Sequence, residues 1–355
     1  LQSSAGSIPV AIAGSETIGA TPGVRIRIGS AAGSPLLDAV LNPAQIAAAR
    51  RVFRWRSAGL ALLPWAATAI DQSYYIGFAR RLMIFALAAA SLNFIMGYGG
   101  MVSLGHAAFF GIGAYTVGIA MTHGVASAWI VWPLAMAAAA FAALAIGSIS
   151  LRTRGVYFIM ITLAFAQMVY YLAVGLKTYG GEDGLTLIQR SQIGFGIDTA
   201  DEATLYYIVL AALAGTMFLL NRAVQARFGR ALIGIRENEA RMEAIGFPTF
   251  RYRLAGFVIA AAIAGLAGAL FANHNAFVSP TILHWTQSAT LVVMVLLGGL
   301  GLRYGGVIGA TVLLLLEETL AALTDTWHLP LGAFLLAVVF IAPRGLAAVF
   351  SRPAR

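Results

Sequence analysis

Runs of about 20 predominantly apolar residues recur along the chain, and this pattern restricts its fold more than any other feature. A helix of about 20 residues crosses the roughly 30 Å hydrocarbon core of a bilayer. Charged residues make up only 10% of the 355-residue sequence, whereas an ordinary soluble domain has about 25%. A soluble fold would therefore lack the polar side chains to cover its surface. The sequence predicts an all-α polytopic membrane protein.

We predict ten membrane-spanning helices, and a count of eight or nine stays open because several runs are short. The third and the eighth to tenth runs are rich in glycine or shorter than a full span. Such runs are typical of broken or tilted helices. The predicted spans are 57–71, 76–98, 104–122, 128–150, 156–176, 204–221, 254–273, 286–302, 304–322 and 329–342.

The arginines indicate an orientation for these spans, because basic residues of short loops collect on the cytoplasmic side. If both termini are cytoplasmic, most arginines fall on that side and acidic residues predominate on the other. Arg80 and Arg81, near the outer end of the second span, are exceptions. Loop orientation thus explains the net charge of +9, and we expect no nucleic-acid partner. The predicted cytoplasmic arginines lie in 50–56, 152–154, 222–253 and 344–355 and at Arg303.

The chain divides into three segments. Residues 1–49 are rich in Ala, Gly and Ser and contain four prolines, so we expect a disordered tail. The early apolar run of this tail is too short for a signal peptide. Residues 50–348 form the transmembrane domain, and residues 349–355 form a short cytoplasmic tail.

The common catalytic and nucleotide-binding motifs are absent. The sequence has no H-E-x-x-H, G-x-S-x-G, G-x-G-x-x-G or G-x-x-x-x-G-K-[ST] pattern. Lys177 is the only lysine and follows Leu176, so the chain has no P-loop. If ATP drives this protein, another polypeptide must bind it. The absence of Cys removes thiolate metal sites, and we predict no metal or other cofactor.

A glycine-rich segment, residues 92–118, spans the second and third runs. It holds seven glycines together with Asn93, Ser103, His106 and Tyr115. Glycine at this density permits an interrupted helix, whose freed backbone groups are tolerated where they line a cavity or pack against protein. The four polar side chains are therefore candidates for a translocation path. The alternative is that the glycines only allow tight crossing and that Ser103 and His106 bond to neighbouring groups.

Two acidic residues of the ninth span, Glu317 and Glu318, are further candidates. Intramembrane acids are costly and are treated as functional by default. Both lie about 20 Å along the span at 1.5 Å per residue, hence in its outer third. Glu317 is therefore a candidate for the translocation path. The alternative is that both carboxylates reach the outer interface or cap a neighbouring helix.

The loop at 222–253, between the sixth and seventh spans, is predicted to contain a short helix. Apolar residues recur at roughly helical spacing from Leu232 to Ile245, and Gly246 followed by Pro248 ends the helix. The charges between them nearly balance, which argues against an anchor on anionic lipid. A protein partner is favoured over a lipid surface or a solvated loop.

The seventh span carries a small residue at every fourth position, a spacing that lets helix backbones approach closely. We therefore expect tight packing, and this spacing says nothing about substrate. The residues on this face are Gly256, Ala260, Ala264, Gly268 and Ala272, and Gly305 and Gly309 repeat the interval in the ninth span.

Several short motifs occur together between residues 57 and 348. They are Gly97-Tyr98-Gly99-Gly100, the run from Ser103 to Phe110, Gly113-Ala114-Tyr115, Arg154-Gly155-Val156-Tyr157, Thr162-Leu163-Ala164-Phe165, Gly180-Gly181-Glu182-Asp183-Gly184-Leu185, Arg236-Glu237-Asn238-Glu239, Gly265 to Leu270, Ser279-Pro280, Met294 to Gly301 and Pro343-Arg344-Gly345-Leu346. Together they resemble the permease subunits of branched-chain amino-acid ABC importers, in particular the LivM type. The sister LivH type shares a version of the glycine-rich motif.

This resemblance implies an ABC importer permease fold with some broken helices, in the bacterial cytoplasmic (inner) membrane. The implied partners are two ABC ATPase subunits, a homologous LivH-type permease, an extracytoplasmic substrate-binding protein and membrane lipids. A helix at 229–246 would be the coupling helix seated in an ATPase groove. The implied coupling residues are Arg236, Glu237, Glu239, Glu243 and Gly246.

Three residues depart from the family pattern. Arg241 and Met242 stand where small residues are usual in the coupling loop, and Gly306 stands in the ninth span where proline is expected. The first two departures put the details of the ATPase contact in question.

The resemblance implies a transport subunit, not an enzyme, that forms half of the pathway for branched-chain or related apolar amino acids. Urea, short amides and aromatic acids stay open as cargo. Two other classes of protein also stay open. A proton-coupled secondary transporter would relay protons through Glu317 and Glu318, and an intramembrane hydrolase would use Ser103 with His106.

Overall fold

A computed structural model of the chain describes residues 73–187, 189–194, 201–324, 326–342 and 345–347. These residues belong to one unit, Gln45–Arg355, and the other unit, Leu1–Ala44, lies outside the described ranges. The predicted tails at 1–49 and 349–355 and the first predicted span, 57–71, also lie outside the described residues. The transmembrane domain is therefore seen from its second predicted span onward.

The described residues form α-helices and one small antiparallel sheet, in which Leu185 lies opposite Val278. The chain order is α1 (Ser73–Asn93), α2 (His106–Thr122), α3 (Ala128–Ser150), α4 (Val156–Gly175), β1 (Leu185–Thr186), α5 (Glu202–Gln225), α6 (Arg227–Glu237), α7 (Glu239–Ala244), α8 (Thr249–Asn275), β2 (Phe277–Val278), α9 (Trp285–Gly298), α10 (Gly305–Leu323) and α11 (His328–Ile341).

The second to tenth predicted spans each coincide with a helix within a few residues. Among the described helices, α1 with its continuation to Tyr98, α3, α4, α5, α8 and α10 are long and apolar enough to cross a membrane. The helices α2, α9 and α11 are shorter, as expected for the third, eighth and tenth runs. The ninth run differs from expectation, because α10 is one continuous helix of 19 residues. Its glycines lie in the first two turns, where they allow contact with other helices without breaking the hydrogen-bond ladder.

A non-helical stretch at 99–105 separates α1 from α2, which confirms the predicted interruption. Helix α1 continues into a π-helical turn, Phe94–Tyr98. Gly100 then adopts a φ of +68°, a left-handed conformation that only glycine reaches without a Cβ penalty. The Met101 N–H donates to the Ile95 carbonyl at 3.0 Å, so the chain folds back against the end of the helix.

Helix α8 packs against α1, α2 and α3. Its small-residue face is buried, with Ala260 and Ala264 fully shielded from solvent. A Cβ on Gly268 would lie 2.8 Å from the carbonyl carbon of Phe110 in α2, so the two backbones touch. Such contact between backbones allows membrane helices to associate without a hydrophobic driving force. The predicted close packing of this face is confirmed.

The connections between helices gather at two opposite ends of the bundle. We call one the arginine-rich end, made by residues 99–105, 151–155, 226–248 and 299–304. We call the other the acidic end, made by residues 123–127, 176–187, 189–194 and 276–284 with the start of α5. Within the first, Arg154 pairs with Glu239 at 3.2 Å, and within the second, His123 Nε2 lies 3.1 Å from the Tyr179 hydroxyl. The described arginines that were predicted to lie on one side of the membrane therefore lie at one end of the helix bundle.

Candidate coupling and translocation sites

The predicted single helix at 229–246 is wrong, because the loop forms two helices, α6 and α7. The break falls at Asn238, whose φ of −157° and ψ of 97° are extended. The Asn238 side-chain oxygen accepts a hydrogen bond from the Arg241 N–H at 2.9 Å. Asparagine is a favoured N-cap and a poor residue inside a helix, because its side chain competes for backbone donors. The chain therefore turns at Asn238 and starts a second helix.

The two helices differ in how much they bury. In α6, Leu232 is fully buried and Ile235 is 4% exposed. In α7 no residue is buried, and Ile245 at its C-terminal end is 66% exposed. Helix α6 is thus part of the packed bundle, and α7 is held outside it.

Gly246 ends α7, as predicted. It adopts a φ of +94°, and its N–H donates to the Glu243 carbonyl at 2.8 Å. The Phe247 N–H donates to the Met242 carbonyl at 3.0 Å. These two bonds form a Schellman motif, which satisfies the last carbonyls of the helix and requires a left-handed residue.

Glu239 fastens α7 to the bundle. One carboxylate oxygen lies 3.1 Å from the guanidinium of Arg253 in α8, and the other lies 3.2 Å from that of Arg154 in the α3–α4 turn. Glu243 adds a hydrogen bond, 2.8 Å long, from the Thr249 hydroxyl. A carboxylate between two guanidinium groups joins three segments through charge-assisted hydrogen bonds.

The other two predicted coupling residues, Arg236 and Glu237, are both exposed, and only Arg236 bonds to a described residue of the bundle. Arg236, in the last turn of α6, donates a hydrogen bond to the Gly97 carbonyl at the end of the π-helical turn. Sequence reasoning missed Arg154 and Arg253 as partners of Glu239. The one signal for them was the position of Arg253 near the start of a span, where an unpaired cation is unfavourable.

Two of the three departures from the family pattern, Met242 and Gly306, have structural explanations. The Met242 sulfur packs over Gly234 of α6, where a Cβ would lie 2.9 Å away, so a long residue in α7 is matched by glycine in α6. Arg241 is exposed. A Cβ on Gly306 would lie 2.7 Å from the Ala89 carbonyl in α1, so the close approach of α10 and α1 leaves no room for a side chain.

Four of the five candidates for the translocation path are buried in the described conformation, namely Asn93, Ser103, His106 and Tyr115. Asn93 bonds to the α9–α10 turn, donating to the Leu302 carbonyl at 2.8 Å. The Ser103 oxygen accepts the Gly105 N–H at 3.2 Å. Nε2 of His106 lies 2.8 Å from the Ser91 hydroxyl. His106 thus pairs with Ser91, and the Ser103–His106 dyad that an intramembrane hydrolase would need is not formed.

The remaining candidates lie further toward the acidic end. Tyr115 is nine residues after His106, about 14 Å along α2, and its hydroxyl has no hydrogen-bond partner among the described residues. Glu317 lies 3.8 Å from Arg81, and Glu318 accepts a hydrogen bond from the Tyr74 hydroxyl. The five path candidates are therefore spread along the bundle and are not gathered in one pocket.

An open cavity of about 350 Å³ lies beside these carboxylates, where α1, α5, α8 and α10 meet at the acidic end. Sequence reasoning singled out Glu318 and Arg81 at this position but missed the contribution of α5 and α8. The residues lining it are Tyr74, Gly77, Phe78, Arg81, Glu202, His274 and Glu318.

Comparison with known proteins gives a consistent result. Residues 74–342 match the family described as "Branched-chain amino acid transport system / permease component". The LivM permease protein of the high-affinity branched-chain amino acid transport system is 29% identical over 294 residues, in both Salmonella typhimurium and Escherichia coli K12. The match covers 76% of this chain and 69% of each relative. The LivH permease protein of E. coli K12 is 24% identical over 74% of this chain and 90% of its own length. No solved structure matches this chain.

The family match covers most of the chain, including the bundle from α1 to α11 and both helices of the loop. The helical membrane fold and the permease relatives agree with the motifs of the glycine-rich segment. The chain therefore belongs to the branched-chain amino acid transport system permease family.

Proposed function

We propose that this chain is one half of the transmembrane channel of a bacterial ABC importer, driven by two separate ATPase subunits. Membership of the permease family supports the transport role. The names of the relatives LivM and LivH assign both to one high-affinity branched-chain amino acid transport system. This supports a LivH-type permease as the second half and a branched-chain or related apolar amino acid as the cargo.

One observation carries the coupling part of the proposal: α7 is exposed, yet Glu239 ties it to two parts of the bundle. A six-residue helix with no buried face is too short to be stable by itself. Its exposed apolar neighbours, Ile245 and Phe247, fit a protein partner such as an ATPase groove. Through Arg154 and Arg253, a displacement of α7 would pass to the α3–α4 turn and to α8.

The same arrangement supports an orientation. We place the arginine-rich end in the cytoplasm of a bacterial inner membrane, where the positive-inside rule favours it. The acidic end then faces outward, toward an extracytoplasmic substrate-binding protein. With ten spans, both termini are cytoplasmic.

The predicted path residues Asn93, Ser103, His106, Tyr115 and Glu317 remain part of the proposal. Their spread from one end of the bundle to the other suits a path more than a single pocket. Ser103 and His106 are fully buried in the described conformation. The proposal therefore requires that the interruption at 99–105 opens during transport. The thiol of a Ser103→Cys variant should then react with a maleimide when ATP and cargo are present.

The test of the proposal uses Ile245, an apolar residue that is 66% exposed. Ile245→Asp should remove the ATPase subunits from the complex purified through a tag on this chain, and should abolish ATP-dependent leucine uptake. Val125→Asp, at an exposed apolar residue of the acidic end, is the control for ATPase recovery and should keep the ATPase subunits in the complex. Unchanged ATPase recovery and uptake in Ile245→Asp would remove the coupling role.

Energy source and cargo are tested by leucine uptake into cells that carry the complete importer. Uptake should persist with an uncoupler and stop on ATP depletion; the reverse would indicate a proton-coupled transporter. Competition by urea, short amides and aromatic acids against labelled leucine identifies the cargo, and we expect isoleucine and valine to compete best.

A further inference from the structure

Three chain segments meet at the arginine-rich end in a cluster that we call the glycine junction, made by Asn93, Gly97, Arg236, Gly301 and Leu302. The segments are the end of α1 with its π-helical turn, the last turn of α6, and the α9–α10 turn. The first and third carry the glycine-rich motifs, and the second belongs to the coupling loop. The glycine junction therefore joins the coupling loop directly to the interrupted helix.

The bond between Arg236 and the Gly97 carbonyl has a clear electrostatic basis. Gly97 lies in the last turn of the helical segment, where carbonyl oxygens lack an intrahelical partner. The helix dipole also places partial negative charge at this end. The Arg236 guanidinium is a fixed cation with several donors, so it satisfies the carbonyl and complements the dipole.

Asn93 holds the third segment to the same point. Its side-chain oxygen accepts the Gly301 N–H at 3.0 Å, and its side-chain nitrogen donates to the Leu302 carbonyl at 2.8 Å. Both hydrogen-bonding groups of the amide are thus used to bind the α9–α10 turn. Gly301 adopts a φ of +72° to present its N–H in this way.

The junction leaves no room for additional side chains. A Cβ on Gly97 would lie 2.6 Å from the Gly301 Cα. A Cβ on Gly100, whose φ is also positive, would lie 2.9 Å from the Arg236 side chain. Motion of Arg236 therefore acts directly on the backbone of both neighbouring segments. π-Helical turns occur frequently at functional sites, and this one lies where a helix meets the coupling loop.

We propose that Arg236 is a positioning residue that transmits movement of the coupling loop to the end of α1 and the α9–α10 turn. It does so through its hydrogen bond to the Gly97 carbonyl and not through contact with the ATPases. This inference rests on the proposed function, because it assigns a route to the coupling between ATPase and channel.

The test compares two arginines of the same helix. Both arginines are exposed residues of α6. Arg236→Gln loses the charge that bonds to the Gly97 carbonyl, and Arg230→Gln loses a charge away from the glycine junction. The complete importer, with its ATPases and binding protein, is reconstituted in vesicles, and cargo taken up per ATP hydrolysed is measured. Coupling free energies of usual size correspond to about 5- to 150-fold effects, so we expect Arg236→Gln to lower this ratio at least about fivefold. Arg230→Gln should leave it unchanged.

The proposal also predicts that Arg236→Gln keeps the ATPases in the complex and keeps ATP hydrolysis. Arg236→Lys retains a cation and a hydrogen-bond donor, so it should recover part of the cargo uptake per ATP hydrolysed. If both Arg236 variants take up as much cargo per ATP hydrolysed as Arg230→Gln does, the proposal is overturned. It is equally overturned if Arg236→Gln loses the ATPases, since Arg236 would then belong to their docking surface. Failure of the proposed function would instead appear in the unmodified protein, as uptake that does not require ATP.

Discussion

The two ends of the bundle both carry ion pairs, but the pairs differ in burial. At the arginine-rich end, the Arg253 and Glu239 side chains are 10% and 19% exposed and lie 3.1 Å apart. At the acidic end, the Arg81 and Glu317 side chains are 42% and 29% exposed and lie 3.8 Å apart. Water screens the second pair and hardly reaches the first. Between these two pairs, charge is part of the framework in the first and a surface property in the second. The acidic end also holds a buried cation, Arg80, which is 2% exposed and pairs with Glu202 at 3.3 Å.

The largest expected effect comes from breaking the more buried of the two pairs, Glu239 with Arg253. Glu239→Ala leaves Arg253 unpaired, and removing one partner of a buried ion pair destabilises a protein by about 3–5 kcal/mol. Since Glu239 is not fully buried, we expect about 3 kcal/mol. Glu317→Ala should change the free energy of unfolding by less than about 1 kcal/mol. Denaturant titration of both variants in detergent measures the difference, and equal losses would refute the contrast.

Backbone packing at the arginine-rich end gives the next largest effect. Gly97→Ala places a Cβ against the Gly301 backbone, and overpacking costs about 1–3 kcal/mol. Gly215→Ala, in α5, meets open space and should be neutral or stabilising because alanine favours helix. Thermal unfolding of both variants in detergent provides the measurement. A stable Gly97→Ala protein would contradict the close approach of α1 and the α9–α10 turn.

A smaller effect concerns the end of α7. Gly246→Ala must hold a left-handed conformation, which costs about 1–2 kcal/mol for a residue with a Cβ. Because α7 is exposed, the variant should fold and should lose uptake and ATPase stimulation more than stability. Its binding protein should retain normal affinity for cargo. Normal uptake in this variant would show that the Schellman turn has no part in coupling.

The smallest expected effect lies at the acidic end. Asp201 caps α5 and accepts hydrogen bonds from the Thr204 hydroxyl and N–H, 2.7 and 2.9 Å long. Asp201→Ala should reduce stability by about 1 kcal/mol. The Thr204 hydroxyl and then its N–H lower the pKa of Asp201 below its ordinary value of 3.8.

The sign of this pKa shift fixes the pH dependence of the cap. The charged form is favoured in the folded protein, so the contribution is present above pH 3.8 and is lost as pH falls through the folded pKa. The difference in stability between the parent protein and Asp201→Ala should therefore be constant near neutral pH and shrink in acid. A difference that grows in acid would contradict this assignment.

The sequence predicted those features that depend on local pattern. The apolar runs located the helices, glycine density located the interruption before α2, and Gly246 marked the end of α7. The break at Asn238 was missed because helical spacing on both sides concealed the cap. The pairing of Glu239 with Arg154 joins different loops, and no spacing rule connects residues so far apart in the chain.

The candidate site shows the same division. Glu239 was identified from its motif, but its role as the link between α7 and the bundle depends on tertiary contacts. Arg236 was assigned to the coupling loop, whereas its contact with Gly97 depends on how α6 packs against α1. The role of the path residues Ser103, His106 and Tyr115 stays a prediction, because polar residues serve both as helix contacts and as path linings.

The central claim, that the arginine-rich end faces the cytoplasm and binds the ATPases, is tested most directly by cysteine labelling. The natural chain has no Cys, so Ile245→Cys and Asp183→Cys each place one thiol, at the arginine-rich end and at the acidic end. With a membrane-impermeant maleimide, Asp183→Cys should react in intact cells. Ile245→Cys should react only in inside-out vesicles, and bound ATPases should protect it. Labelling of Ile245→Cys from outside intact cells would contradict the account.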